Sequence, residues 1–502
     1  MAAPSVFLSG TLPPCPVRFN AAAWCLGADV PGDREAFVAV DPAKGPILSL
    51  SFDALRDRVE RAAGALIAAG VSPGDRVALL IGDVPEFPIA YFGAIAAGAV
   101  ATPLSSQLTT VERRTILDRV TPKVVLGGSE ATLDATALAA GPPAPFAATR
   151  RDDPALLVFT SGSSGKPKGV LHAHRAFWAR QSMRAGWHGI GAGDRVLHAG
   201  AFNWTFTLGV GLADTWSVGA TAILNAGTRA PEVWPGLVDA YDATVFAAAP
   251  AVFRRILKYG QELRQGFGSL RHGITAGEAL SPAIADGWAC ATGKPLLEAL
   301  GMSEVSTFVS TPPGRAAEEA IAGWPQPGRH VAVLGNDGQP VHHGKDGVLA
   351  VHRSDPGLML GYWRDPDANK VAFAGDWFLT GDLVRMGKDG AITYLGRRDD
   401  RMNAQGYRVD PAEVEAAFNA CDGVAECGAA EISIKDGLSV IALWIVAEDG
   451  VRIDRSVLLA AAETRLAAYK MPRELFQIDA LPRTANGKLM RRALRDARAV
   501  PL

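Results

Sequence analysis

The chain has 502 residues, 48% of them hydrophobic, and a formal net charge of −2. Domains usually run ~100–200 residues, so this length allows two or three around a large core, and the balanced charge leaves no basic excess to neutralise a nucleic-acid backbone. The five cysteines (Cys15, Cys25, Cys290, Cys421 and Cys427) form no CxxC pair and are odd in number, which argues against a disulfide framework and fits a reducing cytoplasm.

The opening MAAPSVFLSGTLPP has no basic residue before its short apolar run, so it does not read as a signal peptide. LSFDALRDRVERAAGALIAAG places Leu55, Val59, Ala62 and Leu66 at helical spacing. DRVALLIGD is then a buried strand ending in turn residues. FPIAYFGAIAAGAVA, from Phe87 to Ala101, is the longest apolar stretch. It falls short of the ~20 residues a membrane span needs. With Pro88 at a first helical turn it reads as a buried core helix. VATPL, VERRTILDRV and PKVVLGG continue as strand, helix and strand. The alternation recurs from Asp194 to Ala249 and from Gly273 to Glu298, which predicts α/β layers around a parallel sheet.

Beyond Gly328 the composition changes. VAVLGNDGQPV, DGVLAVHRS and GAITYLGRRDD read as short strands punctuated by DG turns. After Asp399, PAEVEAAFNA reads as a helix with Pro411 in its first turn, GLSVIALWIVAE as a strand, and VLLAAAETRLAAYK and RRALRDAR as helices. The fold class expected is α/β. A large N-terminal domain (1–397) of layered α/β subdomains plus a β-rich segment is followed by a small, mobile α+β C-terminal domain (398–502), with GRRDDR as the linker.

One stretch, TSGSSGKPKG (Thr160 to Gly169), concentrates glycine, hydroxyl and lysine side chains between two apolar runs. It is not a Walker loop. Five residues before Gly165 stands Thr160 rather than Gly, and Pro167 occupies the place of the magnesium-binding hydroxyl after Lys166. ALLVF before it and GVLH after it both read as strands, so no helix N-terminus backs the loop. Backbone N–H groups in a glycine nest, the hydroxyls and the lysines remain to hold phosphate.

Five further stretches gain meaning in company with this one: SLRHGITAGEALSP (269–282), LEALGMSE (297–304), WFLTGDL (377–383), YLGRRDDRMNAQGYRVDPAEVE (394–415) and LPRTANGK (481–488). Together the six resemble, in order and spacing, the motifs of the adenylate-forming superfamily of acyl- and aryl-CoA synthetases, adenylation domains and luciferases. The likeness runs from about Leu50 to Arg495 and is greatest to benzoate-type and medium-chain acyl-CoA ligases. It implies a two-step reaction. A carboxylate attacks the α-phosphate of Mg·ATP to give acyl-AMP and pyrophosphate, and a thiol, usually that of CoA, then displaces AMP. Both steps call for charge stabilisation more than covalent help from the protein.

The resemblance also implies roles. Thr160, Ser161, Gly162, Ser163, Ser164, Gly165 and Lys168 would hold the β- and γ-phosphates. Gly277, Glu278 and Ala279 would approach the adenine. Ser303 would bond the α-phosphate and Glu304 would hold Mg²⁺ through oxygen. Asp382 and Arg397 would bond the ribose hydroxyls. Lys488 would neutralise the charge that develops between carboxylate and phosphate. Asp399 matches a hinge about which the C-terminal domain turns between half-reactions, presenting Lys488 for the first and the face around Gly406 and Arg408 to CoA for the second. Lys488 also matches a lysine acetylated in bacterial relatives, which makes a lysine acetyltransferase and a deacetylase implied partners.

The acyl pocket is expected among residues 199–209, 274–278 and 300–306, with Phe202, Trp204, Phe206, Ala276, Gly301 and Met302 as its walls. Acetate-activating relatives carry Trp at the Gly301 position, so a monocarboxylate larger than acetate, aryl or short- to medium-chain, is expected. No basic residue in these segments stands ready for a second carboxylate. Two other readings stay open: an adenylation enzyme that loads a separate carrier protein, and a non-catalytic nucleotide-binding protein. Neither a nucleic acid nor a membrane span enters the picture, and the oligomeric state is open.

Overall fold

The computed structural model describes residues 4–8, 10–27, 29–160, 167–259, 267–277, 280–315, 318, 321–398, 402–404, 407–435, 438–463, 465–466, 470–483, 489–497 and 499–502, with the backbone alone at some strand positions such as Arg408. The first long helix, Phe52–Ala68, starts at Ser51, whose hydroxyl accepts from Ala54 N, and buries Leu55, Val59, Ala62 and Leu66. The long apolar stretch becomes the helix Glu86–Ala96, buried from Phe87 to Ala96. A helix hydrophobic all round belongs inside a large core. No helix among the described residues is long and apolar enough to cross a membrane.

A six-stranded sheet follows the order Gly361–Tyr362, Lys168–Ala173, Pro154–Thr160, Val100–Pro103, Arg76–Leu79 and Val124–Leu126. Its inner pairs run parallel, as the strand–helix alternation predicts. Its other edge is antiparallel. Pro154–Thr160 and Lys168–Ala173 form a hairpin with Thr160 opposite Lys168, and Gly361–Tyr362 adds beside it. The glycine-serine loop therefore closes a strand pair, as read from its flanks.

A second, larger sheet carries the parallel strands Thr221–Asn225, Arg195–His198, Val245–Ala247, His272–Ala276 and Leu296–Met302. At Leu296–Met302 it turns antiparallel through Ser306–Ser310 and Ile321–Pro325, and runs on into Ile392–Arg397, Trp377–Met386, Asp346–His352 and His330–Leu334. The β-rich segment is thus continuous with the parallel sheet. The turn from parallel to antiparallel falls at Ser303 and Glu304.

The C-terminal part has its own four-stranded sheet, Val424–Lys435, Leu438–Ala447, Glu474–Gln477 and Val500–Pro501. The helix Pro411–Asn419, capped by Asp410, packs on it around Val414, Phe418, Leu443 and Ile445. Two sequence expectations shorten here. The helix read through VLLAAAETRLAAYK spans Arg455–Glu463, and the final helix spans only Arg491–Leu494. Leu494 is fully buried, and the chain then turns to pair Val500–Pro501 with Glu474–Gln477.

The two N-terminal helices meet where Gly93 faces Ala62. A Cβ at Gly93 would lie 2.6 Å from Ala62 Cβ. Overpacking such a contact costs about 1–3 kcal/mol. Gly93→Leu should therefore lower the denaturant midpoint by a free energy of this order with the slope unchanged, as equilibrium unfolding will measure.

Candidate active site

Ser303 and Glu304 lie in the turn between Leu296–Met302 and Ser306–Ser310. The turn is held from several sides. His172 Nε2 is 2.7 Å from the Ser303 carbonyl, Met359 N donates to the Glu304 carbonyl at 2.8 Å, and the Tyr362 hydroxyl donates to Glu304 Oε1 at 2.8 Å. Ser306 adopts a left-handed φ of +70°, a conformation disfavoured for a residue with a Cβ and maintained only by its surroundings. Arg180 Nη1 donates to the Ser306 hydroxyl at 2.5 Å.

Lys168 opens the second strand of the hairpin, and its ammonium lies 5.0 Å from the centre of the Tyr362 ring. Asp382 and Arg397 face each other across paired strands. Arg397 Nη1 donates to Asp382 Oδ1 at 2.8 Å and to the Thr380 carbonyl at 2.9 Å, and the Tyr394 hydroxyl is 3.4 Å from the same Asp382 oxygen. Gly277 follows the strand His272–Ala276 with φ +100°, where glycine is needed. Thr160 and Lys168 frame the phosphate loop. Ser161, Gly162, Ser163, Ser164, Gly165, Glu278, Ala279, Asp399, Gly406 and Lys488 lie outside the described residues, as does the Arg408 side chain.

Two of the three aromatic residues share a cavity and the third packs elsewhere. The chain turns into a helix after Trp204, which spreads alternate side chains around its axis. Phe202 stacks on Phe87 at 4.9 Å in the core. Phe206 lies edge-on to His198 at 4.5 Å and 5.7 Å from Trp187. Trp204 lines a cavity of about 170 Å³ with Phe202, Ser105, Gln107 and Arg229, and Arg229 is paired there with Asp83 at 2.8 Å. A second cavity, at Ser303, is lined by Tyr91, His172, Arg180, Thr205, Leu208 and Ser306. Ala276 is buried at its strand end, and Met302 is half-buried beside the core. Gly301 meets a further constraint: a Cβ there would lie 2.8 Å from Thr307 Cα and from the Ser306 carbonyl oxygen. A side chain there would require the bulged pairing with Ser306 and Thr307 to shift.

Sequence reading missed His172, Tyr362, Arg180 and Asp214. Arg180 lies outside the acyl-pocket segments, yet Arg180 Nε and Nη2 grip the two Asp214 oxygens at 2.6 Å each. Burial alone would raise the Asp214 carboxyl, but the Arg180 charge and hydrogen bonds, together with His188, outweigh it and hold the pKa at about 2. Gly209 sits against this pair; its Cβ would fall 2.0 Å from Arg180 Nη2. The glycines of TLGVG were the visible signal, but their partner was not. Glu298 was also missed. Burial raises its carboxyl to about 7 while Oε1 accepts from Leu280 N at 2.8 Å.

No group of three or more His, Cys, Asp or Glu among the described residues could hold a metal alone. A single carboxylate such as Glu304 suits Mg²⁺, which takes one or two carboxylates and fills its remaining positions with phosphate and water.

A model of the AMP-binding enzyme family matches residues 27–363, and one of the AMP-binding enzyme C-terminal domain matches residues 413–488. The chain belongs to the AMP-binding enzyme family. It is 30% identical to the benzoate–CoA ligase of Thauera aromatica over 96% of this chain and 97% of that protein. It is equally identical to the 3-hydroxybenzoate–CoA/4-hydroxybenzoate–CoA ligase of Thauera aromatica, over 89% and 92%. The solved structure of a benzoate CoA ligase from Burkholderia xenovorans LB400 superposes with a TM-score of 0.84 at 28% identity, covering 95% of this chain and 100% of that one. This AMP-binding enzyme is an ATP-dependent acid–CoA ligase that acts through an acyl-adenylate and uses ATP, Mg²⁺ and CoA.

Burial depresses five imidazoles: His172, His174 and His272 to about 4, His198 to about 3, and His330 in the same direction. A histidine lowered in the folded state contributes stability above its unfolded value near 6.5, lost as pH falls through the folded one. Two buried carboxyls act oppositely, Glu298 raised to about 7 and Glu415 also raised, two groups against five. Unfolding free energy should therefore fall from pH 7 to pH 5, and His172→Gln should flatten the slope. A pH series of denaturant titrations will measure both.

Proposed function

We propose that the acid is an aromatic monocarboxylate of about benzoate size that carries a hydrogen-bond donor, such as a hydroxyl or amino group. The cavity at Ser303 carries this reading. His172 Nε2 points at a carbonyl, which accepts only, so the proton sits on Nε2 and Nδ1 is an acceptor. His172 is buried and neutral, and Nδ1 has no partner among the described residues; neither does the fully buried Tyr91 hydroxyl in the same cavity wall. A buried unpaired polar atom is costly, and a ligand that supplies its partner removes the cost. Arg180 adds little net charge because Asp214 neutralises it, which disfavours a second carboxylate. The benzoate and hydroxybenzoate specificities in the names of the relatives support the same class.

Around this pocket the assigned roles are as follows. Thr160, Ser161, Gly162, Ser163, Ser164, Gly165 and Lys168 hold the pyrophosphate portion of ATP. Gly277, Glu278 and Ala279 take the adenine, Ser303 the α-phosphate, and Asp382 and Arg397 the ribose. Glu304 binds Mg²⁺, which supplies charge neutralisation on the phosphates. Lys488 serves adenylation, and the segment of Gly406 and Arg408 serves thioester formation after rotation about Asp399. The domain division at 397/398 is supported by the separate sheet and core of the C-terminal part. The free cysteines among the described residues favour a cytoplasmic enzyme, and Lys488 is the site where acetylation would act.

The test is CoA-dependent AMP release with benzoate, hydroxybenzoates, aminobenzoates and C4–C10 fatty acids. A hydroxy- or aminobenzoate should give the highest kcat/KM, and Tyr91→Phe should lower its advantage over benzoate about tenfold, the worth of one hydrogen bond. Aliphatic acids as the best substrates would overturn the aromatic reading. Lys488→Ala should abolish carboxylate-dependent ATP–pyrophosphate exchange while thioester formation from preformed acyl-AMP persists; equal loss of both would contradict its assignment.

A further inference from the structure

Tyr362 stands between two groups of opposite charge. Its hydroxyl donates to Glu304 Oε1 at 2.8 Å, and the Lys168 ammonium lies 5.0 Å from its ring centre. The backbone around it is clamped. Gly361–Tyr362 pairs with Lys168–Ala173, Tyr362 opposite Val170. Tyr362 N donates to Asn369 Oδ1 at 2.7 Å, and Asn369 Nδ2 returns a bond to the Tyr362 carbonyl at 2.9 Å. Gly361 takes φ +147°, and a Cβ there would meet Asn369 Oδ1 at 2.8 Å, so the clamp admits only glycine before the tyrosine. A carboxylate oxygen accepts only, so the Tyr362 hydroxyl is the donor of this bond.

We propose that Tyr362 is a positioning residue for adenylation, one that holds Glu304 and Lys168 in place while keeping them from pairing with each other. A lysine and a glutamate this close to one phenol would otherwise form an ion pair, and each would then be less available to Mg·ATP. A neutral hydroxyl orients the carboxylate yet leaves its full negative charge for the cation. An aromatic face attracts the ammonium yet leaves its full positive charge for phosphate. The hydroxyl occupies Oε1, so Oε2 is the oxygen presented to Mg²⁺. The inference rests on the proposed roles of Glu304 and Lys168.

Two substitutions separate the parts. Tyr362→Phe keeps the ring and removes the hydroxyl; Tyr362→Leu removes both. In ATP–pyrophosphate exchange, Tyr362→Phe should raise the half-saturating Mg²⁺ concentration about tenfold with a smaller change in KM for ATP. Manganese bound to the enzyme–ATP complex, followed by electron paramagnetic resonance, should weaken in parallel. Tyr362→Leu should also weaken metal-free ATP binding in calorimetry, since Lys168 is then free to pair with Glu304. Thioester formation from preformed acyl-AMP should suffer several-fold less than exchange in both variants. An unaltered Mg²⁺ dependence in Tyr362→Phe, or equal loss of both half-reactions, would overturn the proposal. Glu304→Gln and Lys168→Ala run alongside. If neither lowers exchange, the underlying site reading falls; if both do and Tyr362→Phe does not, only the role of Tyr362 falls. Should Tyr362→Leu fail to fold, Tyr362→Phe alone decides.

Discussion

The buried Arg180–Asp214 pair is the constraint around which the acyl side of the enzyme is arranged. Both side chains are almost withdrawn from solvent, and the contact is bidentate. Removing one partner of such a pair costs about 3–5 kcal/mol, because the other charge is left uncompensated. The pair dictates glycine at 209, where any side chain would enter the guanidinium. It places Arg180 against the Ser306 hydroxyl and so supports the left-handed backbone of Ser306. That residue begins the strand leaving Ser303 and Glu304. One ion pair thus connects the cavity wall, a strained turn and the residues assigned to phosphate and metal.

The geometry of the nucleotide side comes from strand pairing. The hairpin sets Thr160 opposite Lys168 at the mouth of the phosphate loop. The added strand Gly361–Tyr362 brings a phenol to that same edge. The large sheet changes from parallel to antiparallel beside Ser303 and Glu304, where backbone groups of the turn find partners in His172 and Met359. Opposite charges are treated in two ways. Arg180 and Asp214, and Arg397 and Asp382, neutralise one another in direct contact. Lys168 and Glu304 each touch Tyr362 instead. Two pairs of opposite charge are thus in direct contact, while Lys168 and Glu304 both meet one neutral side chain.

Much of this was legible along the chain. The 3.6-residue spacing of Leu55, Val59, Ala62 and Leu66 predicted a helix and its buried face, because burial of a stripe is a local property. The flanks of TSGSSGKPKG predicted a strand–loop–strand, because β-runs and glycine turns act over a few residues. The aromatic residues at 202, 204 and 206 were offered as pocket walls, Trp204 first, with core packing expected for one or two; Phe202 and Trp204 line one cavity, while Phe206 packs against His198 and Trp187, since the backbone curls into a helix after Trp204. The terminal RRALRDAR was read as helix, and the helix spans only Arg491–Leu494 before Val500–Pro501 joins the sheet edge. Those outcomes depend on partners far away in sequence.

The sequence by itself determined the alternation of strands and helices, the family and its reaction, and the residues that carry its motifs. These rest on local periodicity and on short ordered strings such as TSGSSGKPKG, TGDL and LPRTANGK. Only the tertiary structure decided that Arg180 is neutralised by Asp214, that His172 meets the Ser303 carbonyl, and that Tyr362 touches both Lys168 and Glu304. The physical reason is the same in each case. The partners lie 34, 131 and 58 positions apart, and the sign and direction of a buried polar group are set by the atom it meets. That atom is chosen by the packing of sheets, which no local pattern in the chain records.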